Sequence, residues 1–470
     1  MQGGLSNPFK FLNEIEQHER IKIWILAIAF FLIIGGYTLV KELKDFVFIS
    51  IVGLDKLIEA KWYSMIVLIP MVFFYSKLVD VLRRSDLLVF YVLLYGLGGL
   101  ICAFYLGHPS IGLVNSVASP DRYFGWFFYF FMEGFSPFVV SVLWAFTNSV
   151  TAPQNVKNSY ILMAASSKVG GSLMAGIAWW FLSSNACGII WCDDILMFQL
   201  LLVAASCLLL LVPFVIFYLL KKVSKQNLHG YEAAYQVEKR REEKGEVPKG
   251  FKGTIYSMFS GLWLLLRYPY VLGIFGMIFF WEIINVIFSY LRLCVGQSET
   301  KGVAEFGAFL YQQACLVHVV GFVFVFLGTR TLVAWLGERR SLVAVPLLIG
   351  AVIGTYLMFQ SIKAVAIAYV IMRAINYAFA YPLRESLYIP TTKAMKFKSK
   401  SWIDGFGSKL SKGVGSGYNY IMIHLAASSV FMINLAFFSI VIAAWTIMAN
   451  ALGRRFEQAV EKNEVIGADD

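Results

Sequence analysis

Charge is scarce in this chain of 470 residues. Only 15% of its residues are Asp, Glu, Lys or Arg, whereas soluble domains carry roughly 25%. Hydrophobic residues reach 59%, and the mean hydropathy is +0.69. This composition excludes an ordinary soluble domain and indicates an integral membrane protein that crosses the bilayer several times.

Motifs for catalysis and cofactor binding are also missing. The chain has no Walker pattern, no Cys/His metal spacing and no nucleophile motif, so neither an enzyme nor a cofactor is expected. The glycine-rich run 413–417 resembles a phosphate loop only superficially and indicates close helix packing. The net charge of +11 comes from loops on one membrane face, which the positive-inside rule explains without nucleic-acid binding.

Two further absences concern processing and disulfides. The first twenty residues lack the apolar core of a cleavable signal peptide, so the first span is expected to anchor the chain. Four of the six cysteines lie within or at the ends of apolar stretches. Cys187 and Cys192 share a short outer loop, and whether they pair is left open by the sequence.

Twelve apolar stretches are long enough, at about 20 residues, to cross a bilayer as helices. The longest polar run, 221–255, is interpreted as a cytoplasmic linker between an N-terminal six-helix bundle (1–220) and a C-terminal six-helix bundle (256–470). Lys and Arg are concentrated after spans two, eight and ten, which places both termini in the cytoplasm. The predicted spans are 22–41, 63–82, 87–107, 123–147, 159–183, 195–220, 270–291, 307–328, 341–360, 364–383, 408–427 and 430–452.

A short internal repeat relates the two halves. SKVGGS at 167–172 and SKGVGS at 411–416 both occupy the fifth span of their half. Parallel repeats of this kind are typical of major-facilitator transporters. The predicted fold is therefore an all-α integral membrane protein of twelve transmembrane helices in two six-helix halves, which rock around a central cavity.

Charges inside the spans indicate that the substrate is polar. Glu133 lies in an otherwise uncharged stretch, where a lone carboxylate costs roughly 2.5–3.5 kcal/mol. Lys41 and Lys44 share one face at the end of the first span. Their spacing permits interfacial snorkelling, with neighbouring carboxylates as counterions, or a cationic site for an anion.

Cations outnumber acids among these charges. Three further cations lie in or near spans, and only three acids accompany them and the two lysines. A surplus of Lys and Arg suits phosphate or carboxylate groups. The further cations are Lys412, Arg292 and Arg384, and the acids are Glu133, Glu282 and Glu385.

Three blocks carry a resemblance to a known family. They are YTLVKELKD in the first span, the block from Glu133 through FVVSVLWAFTNSVT to Lys157, and RESLYIP followed by KFKSKSWID and Lys412. In these blocks the chain resembles the plastid and intracellular-parasite type of ATP/ADP translocase, which is unrelated to the mitochondrial carrier. The resemblance implies exchange of ATP and ADP by alternating access, with no bond broken, in the inner membrane of an intracellular bacterium that imports host nucleotides.

The resemblance also implies roles for particular residues. The functional lysines and acid of the family fall on Lys44, Glu133 and Lys412. A further family glutamate aligns with Phe288, and Glu282 lies nearly two turns before it. A tyrosine or tryptophan, Tyr37 or Trp144, could stack on the base. The predicted substrate-binding residues are Lys44, Glu133, Lys412, Arg292, Lys41, Asn148, Arg384, Glu385 and Tyr37.

Two other functions stay open at this point. The first is a major-facilitator-type carrier for another nucleotide or organic anion, with proton coupling through His318 or His424 as one form of it. The second is a membrane scaffold that transports nothing. The partners expected are a small-molecule nucleotide and the lipid bilayer, and the chain is expected to be a monomer.

Overall fold

A computed structural model of the chain describes most of its length, and nearly all of the described part is helical. Backbone in a bilayer has no water to bond, so apolar stretches of this length satisfy their N–H and C=O groups by forming helices. An isolated β-bridge joins Thr391 to Ile466. The described residues are 17–150, 156–183, 193–223, 262–327, 335–392, 395, 399–425, 427–462 and 464–467.

Fifteen α-helices are considered below, numbered in chain order. They are α1 (Gln17–Ile51), α2 (Leu57–Val81), α3 (Arg84–Leu106), α4 (Tyr123–Glu133), α5 (Ser141–Val150), α6 (Val156–Leu182), α7 (Asp194–Lys222), α8 (Pro269–Glu299), α9 (Val303–Leu327), α10 (Glu338–Phe359), α11 (Ile362–Ile375), α12 (Tyr381–Ser386), α13 (Lys400–Trp402), α14 (Ser408–Ile423) and α15 (Ala427–Glu461).

Three π-helical segments interrupt the helices. They are π1 (Ser136–Val140), π2 (Asn376–Ala380) and π3 (Ile403–Gly407). Pro137 lies within π1 and Pro382 follows π2, and proline removes one backbone donor from the helical ladder. Segments of this kind occur often at functional sites. Here π1 follows Glu133 and π2 precedes Arg384.

Eight helices in the described part of the chain are long and apolar enough to cross a membrane. They coincide with predicted spans one, three, four, six, seven, eight, nine and twelve, so several membrane crossings are confirmed. The other four predicted spans fall on α2, α6, α11 and α14. Each of these contains charged residues, and α14 has only 16 residues, fewer than a span needs. The number twelve stays a prediction.

The chain divides into two compact units. The described residues of the first unit come from Met1–Lys56, Val67–Val247 and Thr300–Val319, and those of the second from Leu57–Ile66, Pro248–Glu299 and Val320–Asp470. In the first unit the core joins α1, α3, α5 and α7. In the second unit it joins α8, α10, α11 and α15.

Parts of three predictions lie outside the described residues. These are most of the linker 221–255, Cys187 with Cys192, and the side chain of Asn148.

Candidate functional site

Lys44 and Glu133 meet in the first unit. The Nζ atom of Lys44 on α1 lies 2.5 Å from Oε2 of Glu133, which ends α4, and 3.3 Å from Oδ1 of Asp45. Lys44 is 11% exposed and Glu133 17%. The packing of α1 against α4 therefore brings together two predicted site residues that are 89 positions apart.

An aromatic ring completes this ion pair. Lys44 Nζ lies 4.5 Å from the centre of the Tyr129 ring, and Tyr129 is buried. Tyr129 and Glu133 are one helical turn apart on α4, so both side chains reach the same lysine. The ring face attracts the ammonium group, and Tyr129 is a member of the site that sequence reasoning missed.

Lys41 also has a carboxylate partner. Its Nζ atom lies 2.6 Å from Oε1 of Glu42, which is 1% exposed. With Asp45 and Glu133 beside Lys44, acids on or near α1 neutralise both lysines in this structure. The surplus of cations expected from the sequence does not arise from this group.

The aromatic residues proposed for base stacking are engaged in packing. The Tyr37 ring stacks on Phe135, with 5.4 Å between centroids, and the Trp144 ring meets Phe30 edge-on at 4.5 Å. Phe30 and Phe135 belong to the core of the first unit. These contacts give both aromatic residues a structural role.

Lys412 in the second unit faces Glu282. Its Nζ atom on α14 lies 4.0 Å from Oε2 of Glu282 on α8, and Asn285 Nδ2 donates to the same carboxylate oxygen at 3.0 Å. Lys412 is 34% exposed, more than Lys44. The indole Nε1 of Trp62 donates to the carbonyl of Gly413 at 3.1 Å, so Trp62 is an aromatic neighbour of this site that the sequence did not indicate.

Phe288 lies in the core of the second unit. It is 1% exposed, and its ring centroid is 5.2 Å from that of Tyr356 and 5.9 Å from that of Phe438. A carboxylate here would be surrounded by apolar side chains. The acid that faces Lys412 is Glu282.

Arg384 and Glu385 belong to a larger charged group. Glu385 forms an ion pair with Lys400, and the Arg384 guanidinium lies 5.0 Å from the Tyr381 ring. Asp404 in π3 interacts electrostatically with both of them, and also with Lys400 and Glu282. Through Asp404 and Glu282, the charged group extends from Arg384 to Lys412.

Arg292 is placed apart from this group. It is 2% exposed, and its guanidinium carbon lies 4.3 Å from the Tyr369 ring centre. Arg373 lies 4.8 Å from the same ring. Neither Tyr369 nor Arg373 was indicated by the sequence.

The repeated glycine-rich runs pack in the same way in their own units. A Cβ atom on Gly170 of α6 would lie 2.5 Å from the backbone oxygen of Phe31 in α1, and one on Gly415 of α14 would lie 2.9 Å from that of Ile283 in α8. Only glycine permits such close approach of two helix backbones. In the repeat as aligned, Gly415 corresponds to Gly171, so the contacts are offset by one residue.

Known structures share this fold. A D-xylose–proton symporter aligns over 92% of this chain and 96% of its own, with a TM-score of 0.61 and 11% identity. The fucose:proton symporter FucP of E. coli gives 0.55 over 94% and 99%, at 17% identity, and the nucleoside transporter NupG gives 0.54 over 92% and 99%, at 11%. At these identities the likeness concerns the fold alone. The chain is a helical, multi-pass membrane protein with a transporter fold.

Sequence comparison gives the family. Residues 121–456 match the TLC ATP/ADP transporter family, so the chain belongs to that family, and the resemblance seen in the sequence is confirmed. ADP,ATP carrier protein 1 of Rickettsia typhi is 21% identical over 509 residues, which cover 98% of both chains. The carrier of the same name from Rickettsia prowazekii has the same identity and coverage.

Proposed function

We propose that this chain exchanges ATP for ADP by alternating access, with no chemical bond broken. The protein has twelve spans in two six-helix halves, lies in the inner membrane of a bacterium with both termini in the cytoplasm, and works as a monomer. It imports nucleotides made by a host cell. Family membership and the full-length match to Rickettsia carriers support the substrate class.

The ion pair between Lys44 and Glu133 is the observation that carries the proposal. A lysine in an apolar helix bundle needs a counterion, and Glu133 supplies it at 2.5 Å. A phosphate oxygen is an equally strong acceptor for an ammonium group. Nucleotide binding therefore replaces Glu133 at Lys44, and the pair forms again when the nucleotide leaves.

The pair between Lys412 and Glu282 works in the same way in the second unit. Its 4.0 Å separation is long for an ion pair, so this lysine gives up its carboxylate more readily than Lys44 does. Glu282 takes the place of the family glutamate that is absent at Phe288. Trp62, which bonds to the carbonyl next to Lys412, offers an indole face for the base.

The experiment is uptake of labelled ATP into proteoliposomes that are empty or preloaded with ADP. Wild-type protein is expected to take up ATP only into preloaded vesicles. Lys44→Ala loses most of this exchange, and Lys44→Arg keeps part of it because the positive charge remains. Arg340→Gln, at an exposed residue near the start of α10, is the control and keeps full uptake.

Two results would overturn the proposal. Absence of ATP uptake, together with absence of competition by any nucleotide, would point to a carrier for another organic anion. Normal exchange by Lys44→Ala would remove Lys44 from the mechanism.

Proton coupling is the second candidate, favoured by one contact. His318 Nε2 on α9 lies 3.2 Å from Thr38 Oγ1, which is two turns from Lys44 on α1. Protonation of this ring would place another cation beside the Lys44 site. ATP uptake into empty vesicles that is driven by an imposed pH gradient, and lost in His318→Gln, would establish this alternative.

A further inference from the structure

Two arginines of the second unit share one aromatic neighbour. The guanidinium carbons of Arg292 on α8 and Arg373 on α11 lie 4.3 and 4.8 Å from the centre of the Tyr369 ring. Two cations this close repel each other. The π face of the tyrosine attracts both, and so it offsets part of the repulsion that bringing them together costs.

The two arginines differ in burial and in partners. Arg292 is 2% exposed and is fixed in the interior. Arg373 is half-buried, and its Nη atoms donate to Ser289 Oγ and Tyr377 Oη, both at 3.4 Å. These bonds are at the long end of the hydrogen-bond range. Phosphate oxygens form shorter and stronger bonds with guanidinium, so Arg373 can exchange these hydroxyl partners for phosphate.

The arginine pair lies on a polar stripe of α8. Glu282, Asn285, Ser289 and Arg292 are spaced by three, four and three residues, which places them on one helix face. Glu282 at one end faces Lys412. Ten residues of α-helix span about 15 Å, so the arginine pair at the other end is a separate group, not a part of the Lys412 ion pair.

We propose that Arg373, with Tyr369 and Arg292, forms a second anion subsite that binds the terminal phosphates of a nucleoside di- or triphosphate. Arg373 contacts the phosphate, while Tyr369 and Arg292 position its guanidinium and add positive charge. This subsite would make the carrier distinguish ATP and ADP from nucleotides with one phosphate. The inference rests on the proposed function, because it assumes a nucleotide substrate.

The test is equilibrium binding of ATP, ADP and AMP to purified protein in detergent. For Arg373→Gln, the Kd for ATP and for ADP is expected to rise on the order of tenfold to a hundredfold, as for loss of hydrogen bonds to a charged group. The Kd for AMP changes much less. Arg373→Lys gives an intermediate rise, because the ammonium keeps the charge but lacks the planar fork.

Arg267→Gln is the matched control. Arg267 also lies near a tyrosine ring, at 5.8 Å from the centre of Tyr268, but it is exposed and outside the polar stripe. Its Kd values for all three nucleotides are expected to equal those of the wild type.

The outcomes separate the two claims. If the wild type binds none of the three nucleotides, the proposed function fails. If the wild type binds them and Arg373→Gln shows the same Kd for each, or loses affinity equally for ATP and AMP, the subsite is wrong. If Arg373→Gln does not fold, Arg373→Lys decides, and an unchanged Kd for ATP in that variant overturns the subsite.

Discussion

Removing one member of the Lys44–Glu133 pair should destabilise the protein more than removing both. Lys44→Ala leaves Glu133, which is 17% exposed, without its nearest cation. Breaking a buried ion pair from one side costs about 3–5 kcal/mol. Because Asp45 and Tyr129 also contact Lys44, the lower half of this range is expected for each single variant.

The double variant Lys44→Ala, Glu133→Ala removes both charges and so avoids the uncompensated one. Its free energy of unfolding should lie within about 2 kcal/mol of the wild type, which gives a coupling energy of about 2–3 kcal/mol. The measurement is unfolding by titration with SDS in mixed micelles, for the wild type, both single variants and the double variant.

The Lys400–Glu385 pair serves as the control cycle. Its side chains are 30% and 32% exposed, so solvent screens the pair and the coupling should be about 1 kcal/mol or less. If the two cycles gave equal coupling, or if the Lys44 and Glu133 effects simply added, the argument from burial would be refuted.

Addition of ATP extends this cycle to the mechanism. If phosphate replaces Glu133 at Lys44, ATP should stabilise the wild type and Glu133→Gln, but neither variant that lacks Lys44. A ligand stabilises the folded state by about 2.7 kcal/mol at one hundred times its Kd. Equal stabilisation of Lys44→Ala by ATP would show that Lys44 does not bind the substrate.

Three further predictions concern packing and the C-terminus. Gly170→Ala should lower stability by about 1–3 kcal/mol, because a Cβ would meet the α1 backbone at 2.5 Å; Gly354→Ala in α10, with nothing within 4 Å, should be neutral or slightly stabilising, and equal unfolding midpoints would contradict this. Phe288→Glu should cost about 3–5 kcal/mol and reduce the yield of folded protein on size exclusion, because it places a carboxylate in the core; wild-type stability would show that this position can hold the family's acid. The Arg455 guanidinium, which donates to Glu464 at 2.9 Å, holds the pKa of that carboxyl below its ordinary value, so the pair's contribution to stability is present at neutral pH and lost as pH falls through the lowered pKa; Glu464→Gln should remove this part of the acid-side dependence of the unfolding midpoint, and an unchanged pH profile would show that the pair does not contribute.

Much of the candidate site was predictable from sequence because its signals are local. A carboxylate in an apolar stretch identifies Glu133 without knowledge of its neighbours, since its desolvation cost depends mainly on the segment around it. The same holds for Lys44 and Lys412 at or near apolar spans. The family blocks around these residues gave the substrate class, which the sequence comparisons support.

Partner choice was not predictable, because it depends on how helices pack. Tyr129 is one of many aromatics on α4, and only the approach of α1 selects it as the ring beside Lys44. Glu282 and Phe288 lie on the same helix, yet one faces Lys412 and the other lies in the core. The sequence contained both residues but not the rotation of α8 that separates them.

The sequence by itself therefore determined the membrane class, the family and the charged residues that need partners. These follow from composition, apolar run length and local motifs, which act within one segment of chain. The tertiary structure alone decided which acid neutralises which lysine, and which arginines meet at Tyr369. Those pairings join residues far apart in the chain, and ion pairs and aromatic contacts act only over a few ångströms.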